Sequence, residues 1–104
     1  MCEYIQDIEV QKLERITEIF KSLSDGTRLR ILHLLLQQEC SVGHISHTLE
    51  ISQSNVSHQL RILKQAHLVR ARRDGQSKIY QIDDDHVKTL LQQALNHVSH
   101  HQEG

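Results

Sequence analysis

Apolar side chains recur at three- and four-residue steps in the first third of the chain, a spacing typical of helices with one buried face. Residues 9–23 follow it and are predicted to form an amphipathic helix. A Ser-Asp-Gly break at residues 24–26 ends the pattern, and Asp25 or Thr27 can cap a second helix from residue 28 to about residue 37. Because nearly all side chains in the middle of that second helix are apolar, the helix is predicted to be central and buried.

Two further helices are predicted between residues 41 and 66. Ser41 can cap a short helix over residues 42–49, and Ser52 can cap a longer one from residue 53 to about residue 66. Only three residues, 50–52, connect them, so the pair is predicted to be a helix-turn-helix.

The outer side of the longer helix carries polar side chains that can donate to phosphates and to base edges. Asn and Gln side chains can read adenine in the major groove. The structural alternative is a polar surface helix without a partner. The residues predicted to contact DNA from this helix are Gln53, Ser54, Asn55, Ser57, His58, Gln59 and Arg61.

After residue 67 the pattern alternates, as in β-strands. Residues 68–73 and 78–82 are separated by Asp74-Gly75-Gln76-Ser77, and Asp-Gly is a strong signal for a tight hairpin turn. A hairpin after a helix-turn-helix predicts a winged helix. Side chains near its tip would lie over the phosphate backbone or the minor groove and add salt-dependent affinity; they are Arg72, Arg73, Gln76 and Lys78.

The last predicted helix, from about residue 84 to residue 101, carries four of the nine histidines. On a helical wheel these four fall within about 100° of one another, beside an apolar stripe. His86 and His97 are nevertheless eleven residues apart, about 16 Å along a helix axis, whereas zinc binds its ligand atoms at about 2 Å. One chain therefore cannot close a metal site from this ridge.

A second chain would resolve the separation if the two apolar stripes paired antiparallel. Asp84 and His86 of one subunit would then meet His97 and His100 of the other, which makes two equal sites by symmetry. One carboxylate and three imidazoles suffice for a closed tetrahedral site without a thiolate, a set that favours Zn(II) or Co(II) over softer metals.

The sequence leaves two points open: whether this site exists, and which carboxylate would belong to it. The histidines could be solubilising residues on a frayed helix. The three acids at residues 83–85 also suit a helix N-terminus, so the pattern does not decide which of them would reach the metal. His101 and Glu103 could offer extra ligands to a metal such as nickel, which often takes more than four.

Net charge is only −1, but the charges are segregated. Six of the twelve basic residues lie between Arg61 and Lys78 against a single acid, Asp74, and most other acids lie in residues 1–25 and 83–85. One basic face on an otherwise acidic molecule is typical of a protein that docks one side on double-stranded DNA.

Length and composition add four expectations. The 104 residues are expected to form a single domain, mainly α with a small β-hairpin (α+β). No apolar run approaches a membrane span and no signal sequence begins the chain, so a cytoplasmic protein without a membrane partner is expected. Cys2 and Cys40 are too few for a disulfide framework and are expected to be reduced. We find no metalloprotease, nucleophile-elbow or phosphate-loop motif, so neither an enzyme nor a small-molecule substrate is expected.

The chain also resembles a known family, the ArsR/SmtB metal-sensing repressors, from about residue 13 to residue 100. The resemblance is carried by Phe20-Lys21-Ser22-Leu23-Ser24-Asp25-Gly26-Thr27-Arg28-Leu29-Arg30-Ile31-Leu32, by Ser52-Gln53-Ser54-Asn55-Val56-Ser57-His58-Gln59-Leu60 and by the Asp74-Gly75-Gln76 turn. It implies a homodimer built from the first and last helices. Such a dimer binds an operator upstream of metal-efflux genes when metal-free and releases it when metal binds.

Within the family the chain looks most like the CzrA-type branch, which responds to zinc and cobalt. That branch has Asp-x-His followed by His-x-x-His in its last helix, and Asp84, His86, His97 and His100 match these positions one by one. Thiolate-sensing branches carry Cys-Val-Cys at the third helix, where this chain reads Cys40-Ser41-Val42-Gly43. The alternative is a metal-independent or thiol-switched winged-helix repressor, with Cys2 and Cys40 as its only thiols.

Overall fold

The computed structural model of the protein describes residues 4–101. Over these residues the chain forms five helices and three short strands in the order α1 (Val10–Leu23), α2 (Gly26–Gln37), β1 (Cys40–Ser41), α3 (Val42–Leu49), α4 (Gln53–Gln65), β2 (Val69–Asp74), β3 (Ser77–Ile82) and α5 (Asp85–His101). The predicted winged helix-turn-helix, mainly helical with a hairpin between the fourth and fifth helices, is confirmed. The sequence did not predict β1.

Three of the four helices before α5 begin at side chains that accept a hydrogen bond from an otherwise unpaired backbone N–H of the first turn. Asp25 accepts from the N–H of Arg28, Ser41 from that of His44, and Ser52 from that of Asn55. The choice left open between Asp25 and Thr27 is thereby decided for Asp25, and α2 begins two residues earlier than predicted.

The sheet has the strand order β1-β3-β2. The hairpin pairs Asp74 with Ser77, so Gly75 and Gln76 alone form the turn, and Gly75 has the positive φ of 65° that such a turn requires. β1 adds only two pairs to the other edge of β3, Cys40 with Tyr80 and Ser41 with Ile79. A strand of two residues has no alternation to detect, and it exists because folding brings it beside β3.

The core is aliphatic and is built around α2. Its fully buried side chains come from α2, β1, α3, α4, the hairpin and the turn before it, and the largest are Ile31, Leu32, Ile45, Leu60, Leu63 and Leu68. The prediction that α2 is central is confirmed, but it is not buried on every side. Leu29 is 42% exposed, because it faces a groove between α2 and α5 rather than the core.

That groove belongs to a wide exposed apolar surface. Leu29 and Leu36 of α2 and Leu91, Leu95 and Val98 of α5 line the groove. Further large apolar side chains are exposed along α1, namely Val10, Leu13, Ile16 and Phe20. Large exposed apolar surface of this kind marks an interaction site in small soluble domains, and most of these exposed side chains lie on α1 and α5, the two helices through which a dimer was predicted.

None of the helices in residues 4–101 combines the length and the apolar character needed to cross a bilayer.

Candidate nucleic-acid interface and metal centre

Helix α4, the second helix of the helix-turn-helix and therefore its predicted recognition helix, is fixed in the fold by its buried face. Val56, Leu60 and Leu63 are at most 1% exposed, and the Arg30 guanidinium donates to the Leu49 carbonyl at the turn before α4 (2.9 Å). Glu50 has a positive φ of 57° in that turn. With this face buried, the predicted DNA-contacting side chains Gln53, Ser54, Asn55, Ser57, His58 and Arg61 are all exposed.

Gln59 differs from the other predicted DNA-contacting residues because it is half-buried and bonded inside the protein. Its Oε1 accepts from Nη1 of Arg28 at 3.0 Å, and its Nε2 donates to Oδ1 of Asn55 at 3.0 Å. Arg28 also donates through Nε to the carbonyl of Ser22 at 2.7 Å. Sequence reasoning missed Arg28, since nothing in the local pattern of α2 points toward α4.

The two faces of the wing carry different basic residues, because alternate side chains of a strand point to opposite faces. The cross-strand pairs on the face that continues from the core are Val69–Ile82, Ala71–Tyr80 and Arg73–Lys78. A groove between the wing and α4 is lined by Ser57, Lys78 and Tyr80, among others. Arg73 and Lys78 therefore lie on the side of the wing that faces α4.

Arg72 belongs to the opposite face and already has a partner. Its Nη2 donates to Oε1 of Glu39 at 2.7 Å, with both side chains about half exposed. With its amide nitrogen toward Glu39, Gln81 donates to Oε2 at 2.7 Å and accepts from Nε of Arg70 at 3.3 Å. Glu39 was missed from the sequence because it precedes β1, the strand that no pattern predicted. Its carboxylate already pairs with the guanidinium that Arg72 was predicted to offer to a phosphate.

Asp84 is the N-cap of α5. Its backbone carbonyl accepts from the N–H of Lys88, and its Oδ1 accepts from the N–H of Val87 at 3.1 Å. The Val87 N–H, with a smaller contribution from His86, holds the pKa of the Asp84 carboxyl below its usual value. The Asp84 side chain is therefore an anion throughout the neutral pH range.

His86 lies beside Asp84, with 3.6 Å between its Nδ1 and Oδ2 of the carboxylate, and its side chain is 97% exposed. The two neighbouring acids are placed differently. Asp83 is half-buried and donates its backbone N–H to the Leu68 carbonyl, whereas the Asp85 side chain is 99% exposed and lies 4.0 Å from Nζ of Lys88. Of the three consecutive acids, Asp84 is the one paired with a histidine.

The other end of α5 holds a cluster of exposed imidazoles. The ring of His101 lies 4.6 Å from that of His97 and 5.1 Å from that of His100, centre to centre. Within residues 4–101 of one chain, no three side chains of His, Cys, Asp or Glu are placed to hold one metal ion. Glu103, suggested as an extra ligand, lies outside the described residues.

Cys40 is poorly suited to a thiol switch. It is 1% exposed, its Sγ donates to the Gln38 carbonyl at 3.4 Å, and burial raises the pKa of its thiol. A buried protonated thiol is neither a good nucleophile nor a metal ligand. Cys2, the other thiol, lies outside the described residues.

This chain is similar in sequence to known bacterial regulatory proteins. A family model described as bacterial regulatory protein, arsR family, matches residues 25–71. The cadmium resistance transcriptional regulatory protein CadC homolog of Staphylococcus aureus is 34% identical, in an alignment that covers 93% of this chain and 90% of that protein. The chain belongs to the ArsR family of bacterial regulatory proteins.

Two other ArsR-type proteins support the same assignment. The transcriptional repressor SmtB homolog of Synechocystis is 35% identical over 91 residues, spanning 88% of this chain and 69% of its own. A homodimeric winged helix-turn-helix DNA-binding domain from Mycobacterium bovis, described as a possible ArsR-family regulator, superposes with a TM-score of 0.89 at 31% identity and covers 97% of this chain and 94% of its own. Membership of the ArsR family makes this chain a DNA-binding regulator rather than an enzyme.

Replacing Asp84 by Asn separates helix capping from metal binding. Asn caps helices as well as Asp does, so Asp84→Asn should keep the helix content of α5. The neutral amide is a poor zinc ligand, and we expect zinc affinity to fall at least about tenfold. Competition titration with a zinc indicator, with circular dichroism in parallel, measures both. Asp85→Asn is the matched control, and a larger loss in that control would move the carboxylate ligand to Asp85.

Single alanine substitutions at Arg72 and Arg73 test the two faces of the wing. Arg73→Ala should weaken binding to all DNA sequences and lower the salt slope of log affinity by about one. Arg72→Ala should lower the slope by less, because Glu39 already pairs with that guanidinium. Fluorescence anisotropy with labelled duplex across a NaCl series measures both slopes. A larger change for Arg72→Ala would place the outer face of the wing against DNA.

Proposed function

We propose that the protein is a homodimeric, zinc-responsive transcriptional repressor. Its metal-free form binds the operator of metal-efflux or metal-resistance genes, and Zn(II), or Co(II), releases it. The observation that carries the proposal is the layout of α5, which has Asp84 beside His86 at one end, three imidazoles at the other, and apolar side chains between them. Membership of the ArsR family supports the DNA-binding part, and the cadmium-resistance relative supports a metal signal.

The apolar surface of α1, α2 and α5 supports a dimer. A second copy of the same surface would remove from water the exposed side chains of these helices, each contributing roughly 25 cal/mol per Å² of apolar area. The homodimeric domain from Mycobacterium bovis has the same fold. An antiparallel pair of α5 helices would bring Asp84 and His86 of one protomer toward His97 and His100 of its partner.

The side chains present fit zinc by their chemistry. Asp84 is an anion, imidazole nitrogens are common zinc ligands, and all four side chains are exposed where a partner could approach. Bound zinc would join the two ends through four protein ligands, with no position for a substrate. Asp84, His86, His97 and His100 would hold it, and Asp84 would fix the start of α5 at the same time.

Coupling between α5 and the recognition helix is supported by the backbone of Leu68. Its N–H donates to the Leu63 carbonyl of α4 at 2.9 Å, and its carbonyl accepts from the N–H of Asp83 at 3.0 Å, next to the start of α5. A rotation of α5 about its start would therefore act on the end of α4. The two recognition helices of a dimer must match major grooves about 34 Å apart, so a fixed rotation lowers the fit.

Mixed dimers test whether each metal site is shared between protomers. His86→Ala and His97→Ala homodimers should each lose both sites, because each lacks one ligand in every site. A heterodimer of the two variants should regain one intact site with wild-type zinc affinity, since its other site lacks both ligands. Zinc stoichiometry on tag-purified heterodimers measures this. Recovery of no site would show that the ligands come from one chain.

His97→Asn tests derepression itself. The variant should bind operator like the metal-free wild type and stay bound when zinc is added, whereas zinc should weaken wild-type binding by about 5- to 150-fold. Because coupling is reciprocal, operator should weaken zinc binding by the same factor. Operator anisotropy with and without zinc provides the measurement. Equal or tighter wild-type binding with zinc would favour a metal-independent repressor or a corepressor.

A further inference from the structure

A chain of hydrogen bonds runs from the end of α1 to the exposed side of α4. It starts at the Ser22 carbonyl, passes through the guanidinium of Arg28 and the amide of Gln59, and ends on the amide of Asn55. Its three bonds measure 2.7, 3.0 and 3.0 Å. Exposure increases along it, because Ser22 is buried, Arg28 and Gln59 are half-buried, and Asn55 is exposed.

The chemistry of Arg28 fixes the direction of these bonds. A guanidinium has five N–H donors and no acceptor, so the atom of Gln59 that faces it has to be the oxygen. The amide nitrogen of Gln59 must then point toward Asn55 and donate to its Oδ1. Neither amide can be turned over without placing two donors or two acceptors against each other.

The last member of the chain is consequently oriented as well. One lone pair of Asn55 Oδ1 is used inside α4, and its amide plane is held by that bond. Within residues 4–101 the Nδ2 hydrogens of Asn55 have no acceptor, so they form the outward end of the chain. Asparagine reads adenine with Oδ1 and Nδ2 together. The bond from Gln59 occupies one of the two lone pairs of Oδ1 and neither Nδ2 hydrogen, so it favours donation by Nδ2 to an acceptor such as guanine O6 or N7, or a phosphate oxygen.

Charge strengthens the outward donor. No carboxylate among the described residues forms an ion pair with the Arg28 guanidinium, and the Asp25 carboxylate accepts from the backbone N–H of Arg28 instead. A cation that donates to an amide oxygen polarises that amide, and a series of such bonds is mutually reinforcing. The Nδ2 hydrogens of Asn55 therefore lie at the outer end of a cation-polarised series.

We propose that Arg28, acting through Gln59, is a positioning residue for DNA recognition that makes Asn55 a hydrogen-bond donor to an acceptor group of the operator. This rests on the proposed function only in requiring that α4 contacts operator DNA. It revises the expectation that Asn55 reads adenine. It also gives Gln59 a different part from its neighbours on α4, since Gln59 orients a contact residue and does not itself touch DNA.

A double-mutant cycle on duplexes that the protein itself selects tests the proposal. The duplexes are selected from a random library with the wild-type protein, and their binding profile is then measured for Asn55→Ala, Gln59→Met and the double variant. Asn55→Ala should lower affinity about two- to tenfold. Gln59→Met should lower it by a similar factor in the wild-type background and by almost none in the Asn55→Ala background, because it acts through Asn55.

The position of the change in the profile identifies the acceptor. Loss of a guanine preference at one position of each half-site indicates a base contact, and a uniform loss with a smaller salt slope indicates a phosphate contact. Loss of an adenine preference, or no effect of Asn55→Ala, would overturn the donor assignment. Equal effects of Gln59→Met in both backgrounds would overturn the positioning role. Failure of the wild type to select any sequence would instead contradict the proposed function.

Two further variants keep the test informative if Gln59→Met disturbs folding. Gln59→Glu keeps an acceptor for Arg28 but has no N–H for Asn55, so it should change the same positions of the profile. Its added negative charge is matched by Gln65→Glu, at the exposed end of α4 and outside the hydrogen-bonded chain. A profile for Gln59→Glu that equals that of Gln65→Glu would count against the proposal.

Discussion

Leu68 is the residue at which three parts of this fold are joined. Its N–H closes α4 on the Leu63 carbonyl, its carbonyl receives the N–H of Asp83 just before α5, and its side chain is 1% exposed in the core. His67, directly before it, has a positive φ of 59°, which turns the chain sharply from α4 into the wing. Two backbone hydrogen bonds of one residue therefore connect the end of α4, the start of the wing and the residue before α5. In a small domain, a displacement at the start of α5 would reach the end of α4 through these bonds.

A second constraint is the size of the core. Thirteen hydrophobic residues are buried in the described part of the chain, while eleven large apolar side chains remain exposed, most of them on or before α1 and on α5. A domain this small buries a modest share of its surface, so it gains stability by sharing a face with a partner. The same face lies between the two ends of α5 that carry the candidate ligands. In the proposed dimer, association and metal binding would use one surface, because α5 carries apolar side chains between its two ends and the candidate ligands at those ends.

The polar residues of α4 and the wing divide into those available to a DNA partner and those already bonded within the protein. This division limits which residues can contact bases or phosphates. Arg73 and Lys78 lie opposite each other on the two strands of the hairpin, on the side facing α4. Arg72 forms an ion pair with Glu39 on the other side. Gln59 is bonded at both ends of its amide. A net charge of −1 suits such an arrangement, because non-specific attraction to DNA is limited and selective contacts gain importance.

The sequence by itself determined the helices, the serine caps of α3 and α4 and the hairpin, because periodicity, Ser caps and the Asp-Gly turn are local signals that neighbouring residues decide. It also determined that His86 and His97 are too far apart to share a metal within one helix. Tertiary structure alone decided that Cys40 and Ser41 form a strand, that Glu39 pairs with Arg72, and that Arg28 reaches Gln59 across 31 positions of sequence. Such contacts depend on how elements pack against each other, and a pattern of neighbouring residues contains no information about distant partners.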